Sequence, residues 1–330
     1  MKRKTSKLLA LMLAALLAAA FITPVLADPS PSHELSEHEQ ELLLAFWQQP
    51  AYDGMNNGQA VYDYSHVKSG SLLKTRPQYD GGYWTHCLYN DMYNDEVFMF
   101  YLYWNLDDWC KTGPAGDRGD RALSNSVHPD LYGPLDLHGT SISEFWGEDS
   151  SITHIDDINF NDCPHLYRIR FVNQPAANSI TALNCPINWI DTRGSTFKSI
   201  AFKASHYTEP MHIEAEGGGN VSVYHDYSSL GNVSRLTASS KEELFMGWYR
   251  DGELISAEPY VEVTAGGNYT ARFGGDADGD GTAGANDALL LFRMCMGLIP
   301  AVSGDFDMDC SGGVDAADAL LLMRFAMGHI

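Results

Sequence analysis

Between residues 131 and 209, apolar residues recur in the pattern apolar-x-x-apolar-x-apolar. The pattern stands at Ile155-x-x-Ile158-x-Phe160, Leu166-x-x-Ile169-x-Phe171, Ile180-x-x-Leu183-x-Cys185, Ile187-x-x-Ile190-x-Thr192 and Phe197-x-x-Ile200-x-Phe202. Most of these starts lie ten or eleven residues apart, or a multiple of that spacing. Because so short a unit cannot bury its own apolar face, the period predicts repeats that stack on one another.

The segments on either side predict a helix and a set of strands. Ahead of the repeats, Ser36 stands three residues before Glu39 and an apolar stripe follows, which predicts a capped amphipathic helix. After the repeats, residues 210–274 alternate β-forming residues with Gly, Asn and Ser. This region is predicted to form short strands, with a hairpin turn at Arg250-Asp-Gly-Glu.

The carboxy-terminal segment contains an internal duplication. Residues 286–297 and 317–328 share Asp, Ala, three Leu, Arg, Met and Gly at equivalent positions, and an acidic loop of twelve residues leads into each copy. Ca²⁺ takes oxygen ligands from loop positions 1, 3, 5, 7, 9 and 12, with Gly at position 6. The sequence therefore predicts a calcium loop followed by one helix, twice.

The calcium ligands are predicted from these loop positions. In the first loop they are Asp276, Asp278, Asp280, Thr282, Gly284 and Asp287. In the second loop they are Asp307, Asp309, Ser311, Gly313, Asp315 and Asp318. Each loop ends on Asp where the usual helix-loop-helix hand has Glu.

These two loops, each running into Asp-Ala-Leu-Leu-Leu-x-Arg, resemble a type I dockerin over residues 275–330. The resemblance implies a small Ca²⁺-dependent helical module that holds two ions and docks a cohesin domain of a scaffold protein. It also implies cohesin contacts at Ala285, Asn286, Phe292, Arg293, Ala316, Ala317, Met323 and Arg324. The best-known dockerins have Ser-Thr and Lys-Arg pairs at these positions, so the matching cohesin surface is expected to be apolar.

Two further resemblances complete the predicted architecture. The repeats resemble a degenerate leucine-rich repeat, with an ordinary β-rich domain as the alternative, and Gly247-Trp-Tyr-Arg-Asp-Gly-Glu-Leu-Ile resembles the divergent B-repeat of internalin-like surface proteins. We therefore expect a multidomain chain with a degenerate leucine-rich-repeat-like α/β solenoid body, an N-terminal helical cap, a small β-rich domain and an all-α dockerin. The predicted boundaries are 1–27 for a signal peptide, 28–130 for the helical cap and an aromatic-rich region, 131–209 for the repeats, 210–274 for the β-rich domain and 275–330 for the dockerin.

Charge and hydropathy narrow the location and the partners. A basic start followed by an apolar run predicts a secretory signal peptide over residues 1–27, with a transmembrane anchor as the alternative. The chain has 21 basic and 43 acidic residues and a net charge of −22, which disfavours a nucleic-acid partner. We expect an exported protein that does not insert into a membrane and is held at a surface only through a partner.

Three hypotheses for the activity remain open. The first is a non-catalytic protein whose repeats bind a protein or a glycan. The second is a scaffold-borne glycoside hydrolase, which needs two carboxylates. The acidic residues that qualify by type alone are Glu144, Glu148, Asp156 and Asp157. The third is a carbohydrate-binding module in which Trp248 and Tyr249 stack on sugar, although aromatic residues at strand spacing are more often core.

The chain has six cysteines, an even number that permits disulfides in an exported protein. Cys87 and Cys110 are the first candidate pair. Cys163 and Cys185 fall on repeat positions where a small buried residue is expected, so these two are predicted to be reduced.

Overall fold

The repeat pattern folds into strands that form two mixed sheets around a single apolar layer. The computed structural model describes residues 36–51, 54, 56–57, 88–90, 98–103, 131–148, 154–174, 177–301 and 306–329. The predicted signal peptide, most of the aromatic-rich region, and Cys87 and Cys110 lie outside the described residues.

The described helices are α1 (Glu37–Gln48), α2 (Tyr227–Leu230), α3 (Ala285–Cys295) and α4 (Ala316–Ala326). In spatial order, the first sheet contains β1 (Leu88–Asn90), β2 (Phe98–Tyr103), β4 (Ile142–Glu148), β6 (Arg168–Phe171), β8 (Trp189–Asp191), β11 (Asn220–Asp226), β12 (Ser234–Ser239) and β15 (Tyr260–Val263). The second sheet contains β14 (Glu253–Ser256), β13 (Leu244–Arg250), β16 (Gly267–Gly274), β10 (Met211–Glu216), β9 (Ser199–Ala204), β7 (Ser179–Ile187), β5 (Asp157–Asn159) and β3 (Leu135–Asp136).

The repeat region builds coils from strands alone. From β3 to β9, successive strands alternate between the two sheets, and each pairs in parallel with the strand two further along. The buried residues of one sheet are therefore in register from coil to coil, at Leu135, Ile158, Ile180 and Ile200. These positions are 20 to 23 residues apart, so the ten- or eleven-residue period of the sequence is half a coil.

The predicted α/β solenoid is therefore wrong. A leucine-rich repeat places one strand, and a helix or 3₁₀ segment, in each unit of about 20–29 residues. Here every half-coil of ten or eleven residues already contains a strand and its turn, which leaves no length for a helix. The described chain is mostly β-sheet, and each coil contributes one strand to each of the two sheets.

The predicted all-α dockerin is wrong for a different reason. The apolar faces of α3 and α4 do not form a separate core, because Leu291 and Leu322 cluster with Leu244 and Met246 of β13. A bulge in β13 between Phe245 and Gly247 changes the alternation of its side chains. As a result, Leu244 and Met246 face the helices while Trp248, further along the strand, enters the main core.

The helix α1 has the capping box that the sequence predicts, with Ser36 as N-cap and Glu39 three residues later. The carboxylate of Glu39 also accepts hydrogen bonds from the backbone and hydroxyl of Ser141, at 2.7 and 2.5 Å. Burial alone raises the pKa of Glu39, but the hydrogen bonds from Ser141 and Ser36 outweigh it and lower this pKa. One buried side chain thus joins the helix to the start of the coils.

Residues 210–274 extend both sheets. Strand β10 pairs with β9, and β11 pairs with β8, both antiparallel. The predicted hairpin at Arg250-Asp-Gly-Glu is confirmed between β13 and β14. Asp251 and Gly252 have φ of 49° and 86°, the left-handed conformations that a two-residue hairpin turn requires.

The stacked rings between the coils should make a large contribution to stability. Phe171 is buried between Phe145 and Phe197, with ring centroids 5.8 and 5.5 Å away. We expect Phe171→Ala to lower the free energy of unfolding by about 3–5 kcal/mol, because the cavity cannot close between two fixed rings. Urea unfolding measures this change. The exposed Leu254 is the control, where Leu254→Ala should cost under about 0.5 kcal/mol, and equal losses for the two variants would contradict the assigned core.

Two histidines should make the fold sensitive to mild acid. His206 stacks on His225 at 4.9 Å, and within the described residues neither nitrogen of His206 nor Nε2 of His225 has a hydrogen-bond partner. Burial lowers the pKa of both imidazoles. The unfolded chain, with a histidine pKa of about 6.5, therefore takes up protons first as the pH falls.

The contribution of these two histidines to the free energy of unfolding should consequently be fully present above about pH 6.5 and should decline below it. His206→Phe keeps the stacked ring and removes one titrating group, so its midpoint of thermal unfolding should fall less between about pH 6.5 and 5 than that of the unaltered protein. Identical pH profiles for the two proteins would show that His206 has no part in this dependence.

Candidate metal centres

The two acidic loops end at the first turns of α3 and α4, where a carboxylate closes each helix start. The Oδ2 atom of Asp287 accepts the backbone N–H of Gly284 at 2.7 Å. Asp318 does the same for Asp315, also at 2.7 Å. Free N–H groups at a helix start favour a nearby carboxylate. The helix that follows each loop therefore fixes the position of the loop's last carboxylate.

The other oxygen of each of these carboxylates reaches the beginning of its loop. Oδ1 of Asp287 accepts the backbone N–H groups of Ala277 and Asp278, both at 2.8 Å. Oδ1 of Asp318 accepts that of Asp309 at 3.2 Å. Asp287 and Asp318 are both buried, and each ties the two ends of its loop together.

The first residue of each loop organises the turn. Asp276 accepts the backbone N–H of Gly281 at 2.9 Å, and Asp307 accepts that of Gly312 at 2.8 Å. These glycines have φ of 94° and 97°, a conformation that a side chain would strain. The equivalent hydrogen bonds give the two loops the same internal geometry.

Three of the predicted side-chain ligands converge in each loop. Carboxylate oxygens of Asp276, Asp278 and Asp287 lie within 4.8 Å of one another, as do those of Asp307, Asp309 and Asp318. Partial desolvation and the neighbouring carboxylates raise the pKa of Asp278. A set made only of oxygen donors with this charge fits a hard divalent cation such as Ca²⁺.

The other predicted ligands are not part of these carboxylate clusters. The carboxylate of Asp280 accepts the backbone and hydroxyl of Thr282 at 3.0 and 2.8 Å. Asp315 caps α4 by accepting the N–H of Ala317 at 2.6 Å. The hydroxyl of Ser311 donates to the carbonyl of Gly313 at 3.3 Å. These contacts lie within the loops, and the calcium-ligand roles of these residues stay predictions.

Most of the predicted cohesin contacts are on the surface. Ala285 and Asn286, in the first turn of α3, and Ala316 and Ala317, in that of α4, are exposed. Phe292, Arg293 and Arg324 are also exposed, whereas Met323 is half-buried against the core that α3 and α4 share with β13.

The second loop has a contact with β13 that the sequence analysis did not predict. The Sγ atom of Cys310 donates to the carbonyl of Met246 at 2.6 Å. The loop motif around Cys310 does not signal this contact, and the partner lies 64 residues away along the chain. Cys310 thus helps to attach the loop to the sheet.

Glu144 and Asp157, two of the acidic residues that qualified for catalysis, do not share a site. Glu144, on β4, belongs to the first sheet and Asp157, on β5, to the second, with the apolar layer between them. Glu144 is buried beside Trp146 and Arg168, and Asp157 accepts from Asn178 and Ser179. The side chain of Glu148 lies outside the described part of the chain.

The other sequence-based candidates can also be placed. Trp248 is fully buried and cannot stack on a sugar. Cys163 and Cys185 are buried and reduced, as predicted, and their thiols donate to the carbonyls of Leu137 and Phe160 at 3.1 and 3.0 Å.

No protein-family model, no curated protein and no solved structure matches the chain. Among the described residues, the helices are too short or too polar to cross a membrane.

If the loops hold Ca²⁺, the ion should raise thermal stability, because it binds the folded clusters and relieves their carboxylate repulsion. Asp278→Asn combined with Asp309→Asn should remove most of the Ca²⁺-induced rise in Tm, since each change takes one charge from an exposed ligand and leaves Asp287 and Asp318 intact. Glu253→Gln, an exposed acidic residue outside the loops, is the control. Calorimetry with and without Ca²⁺ measures the rise, and an equal rise in all three proteins would exclude these clusters as the site.

Proposed function

We propose that this is an exported, non-catalytic modular protein that docks through its two loop-helix units to a cohesin domain on an extracellular scaffold, and that its coils present a surface to a protein or glycan ligand. The observation that carries the docking proposal is the duplicated carboxylate cluster, with equivalent hydrogen bonds in both loops. Two copies of one metal-ligand geometry, 31 residues apart, are typical of a Ca²⁺-dependent docking module.

Charge explains how the metal would control docking. Residues 275–330 contain nine acidic and two basic residues, and two Ca²⁺ ions offset four of the negative charges. With their carboxylate repulsion reduced, the loops can then hold the first turns of α3 and α4 in place.

The surface beside the loops suits an apolar partner. Large apolar side chains are exposed on or beside both helices, at Leu289, Phe292, Met296, Leu298, Val314, Leu320 and Met327. Arg293 and Arg324 stand among them. Exposed large apolar side chains on elements that also carry exposed arginines are typical of protein-binding surfaces.

The test is direct binding to a panel of purified cohesin domains by surface plasmon resonance, with and without chelator. We expect at least one cohesin to bind in Ca²⁺ and to dissociate in chelator. Phe292→Asp with Leu320→Asp, one exposed change in each copy, should weaken this binding at least about tenfold.

The control is Leu254→Asp with Ile255→Asp on β14. These side chains are 44% and 41% exposed, close to the 43% of Phe292, so the control makes a similar change away from the helices and should leave binding unaltered. Binding that resists the chelator, or no binding to any cohesin in the panel, would reject the proposed docking.

A further inference from the structure

The outer face of the first sheet carries a row of aromatic and cationic side chains. Strands β4, β6 and β8 place Phe145, Ile169 and Ile190 in the core, so the alternate residues face outward. In register across these strands, Glu144 lies beside Arg168 and Arg168 beside Trp189, while Trp146 lies beside Arg170. We call Trp146, Trp189, Arg168 and Arg170 the aromatic–arginine strip.

The members of the strip contact one another closely. The rings of Trp146 and Trp189 stack at 6.0 Å with 26° between their planes. The guanidinium of Arg168 lies 5.7 and 5.3 Å from these two rings, and that of Arg170 lies 5.4 and 6.0 Å from them. At these distances both cations are attracted to the indole faces, which gives the strip a defined shape.

One buried carboxylate, that of Glu144, holds two members of the strip in position, and a second lies beside the strip. Glu144 accepts the indole N–H of Trp146 at 2.8 Å and the hydroxyl of Tyr167, and it pairs with Arg168 at 3.6 Å. Two coils further on, at the end of β8, Asp191 accepts two hydrogen bonds from the guanidinium of Arg193 at 2.8 and 2.7 Å. The guanidinium of Arg193 lies over the ring of Tyr224 at 4.1 Å.

This arrangement buries the anions and exposes the cations. The side chain of Glu144 is 8% exposed and that of its partner Arg168 is 38% exposed. Asp191 is 2% exposed and its partner Arg193 is 60% exposed. Asp226 lies on β11, beside Trp189 of β8. Its carboxylate accepts hydrogen bonds from the hydroxyls of Ser228 and Ser229 at 2.6 and 2.8 Å. In a chain of net charge −22, the face around the strip offers guanidinium groups to the solvent.

We infer that the aromatic–arginine strip binds an acidic glycan, through sugar rings on Trp146 and Trp189 and sugar carboxylates on the arginines. Indole faces are large, rigid and amphipathic, which suits the C–H face of a pyranose ring. A guanidinium binds a carboxylate through two parallel hydrogen bonds. The inference rests on the ligand-presenting part of the proposed function and does not depend on docking to cohesin.

A protein ligand fits this face less well. Protein-binding surfaces are also enriched in Trp and Arg, but they place these residues around an apolar centre. Among the described residues from 131 to 226, no large apolar side chain is among the highly exposed ones, whereas several are on α3 and α4. The strip therefore combines two half-buried indole rings with cations, without exposed aliphatic groups.

The test compares a short oligogalacturonate with its methyl ester, in which each carboxylate charge is replaced by a neutral methyl ester. Isothermal titration calorimetry with the full chain should show binding of the acid, weakened by added salt. The ester should bind at least about tenfold more weakly, because it loses the contacts of the carboxylates with arginine.

The variants separate the two kinds of contact. Trp189→Ala should weaken binding of the acid at least about tenfold, and Tyr260→Ala, an exposed aromatic on β15, should not. Arg170→Gln should reduce the preference for the acid over the ester, whereas Arg235→Gln, an exposed arginine on β12, should preserve it. If a thermal melt shows that Trp189→Ala does not fold, two comparisons still test the inference: Arg170→Gln against Arg235→Gln, and the acid against the ester.

Equal binding of acid and ester, or no binding of either probe, would overturn the inference, as would unchanged binding by folded Trp189→Ala. The same preparations are assayed for cohesin binding with and without chelator. Trp189→Ala should leave that binding intact, so loss of one interaction with retention of the other shows which proposal has failed.

Discussion

Every coil of the repeat region depends on burying its apolar residues between the two sheets, because a half-coil of ten or eleven residues has nothing of its own to pack against. The rings of Phe145, Phe160, Phe171 and Phe197 lie 4.9 to 5.8 Å apart through this layer. A stack of this kind needs a different structure at each end. Helix α1 meets the first coil through Glu39, and antiparallel strands continue both sheets after β8 and β9.

Stacking also determines what the outside of the coils can do. Once the inward positions are assigned to the core, the outward residues of β4, β6 and β8 lie side by side at the spacing of adjacent strands. Trp146 and Trp189 are 43 residues apart in the sequence, yet their rings stack. The aromatic–arginine strip is therefore a product of coil length, and a change in the length of one coil would separate its members.

The parts predicted correctly from the sequence are those set by local interactions. Helices α3 and α4 follow their acidic loops because Asp287 and Asp318 accept the backbone N–H of the N-cap residue three positions earlier. The hairpin turn depends on Asp251 and Gly252 alone. The predicted fold class was wrong because the spacing of apolar residues gives the length of a repeat but does not show whether the repeat contains a helix or a second strand. The burial of Trp248 agrees with the expectation that aromatic residues at strand spacing are more often core, whereas the shared core of β13 depends on a bulge that the alternation of residues does not reveal.

The negative charge of the carboxylates is balanced differently in the two proposed binding regions. At the strip, Glu144 and Asp191 are each paired with an arginine that faces the solvent, so the protein itself supplies the balancing charge. In the loops, backbone N–H groups satisfy part of each cluster, but hydrogen bonds from neutral donors do not cancel the repulsion between three carboxylates. A bound divalent cation can cancel it. Because α3 and α4 share a core with Leu244 and Met246 of β13, stabilisation of the loops by a cation would extend through the helices to β13 of the second sheet.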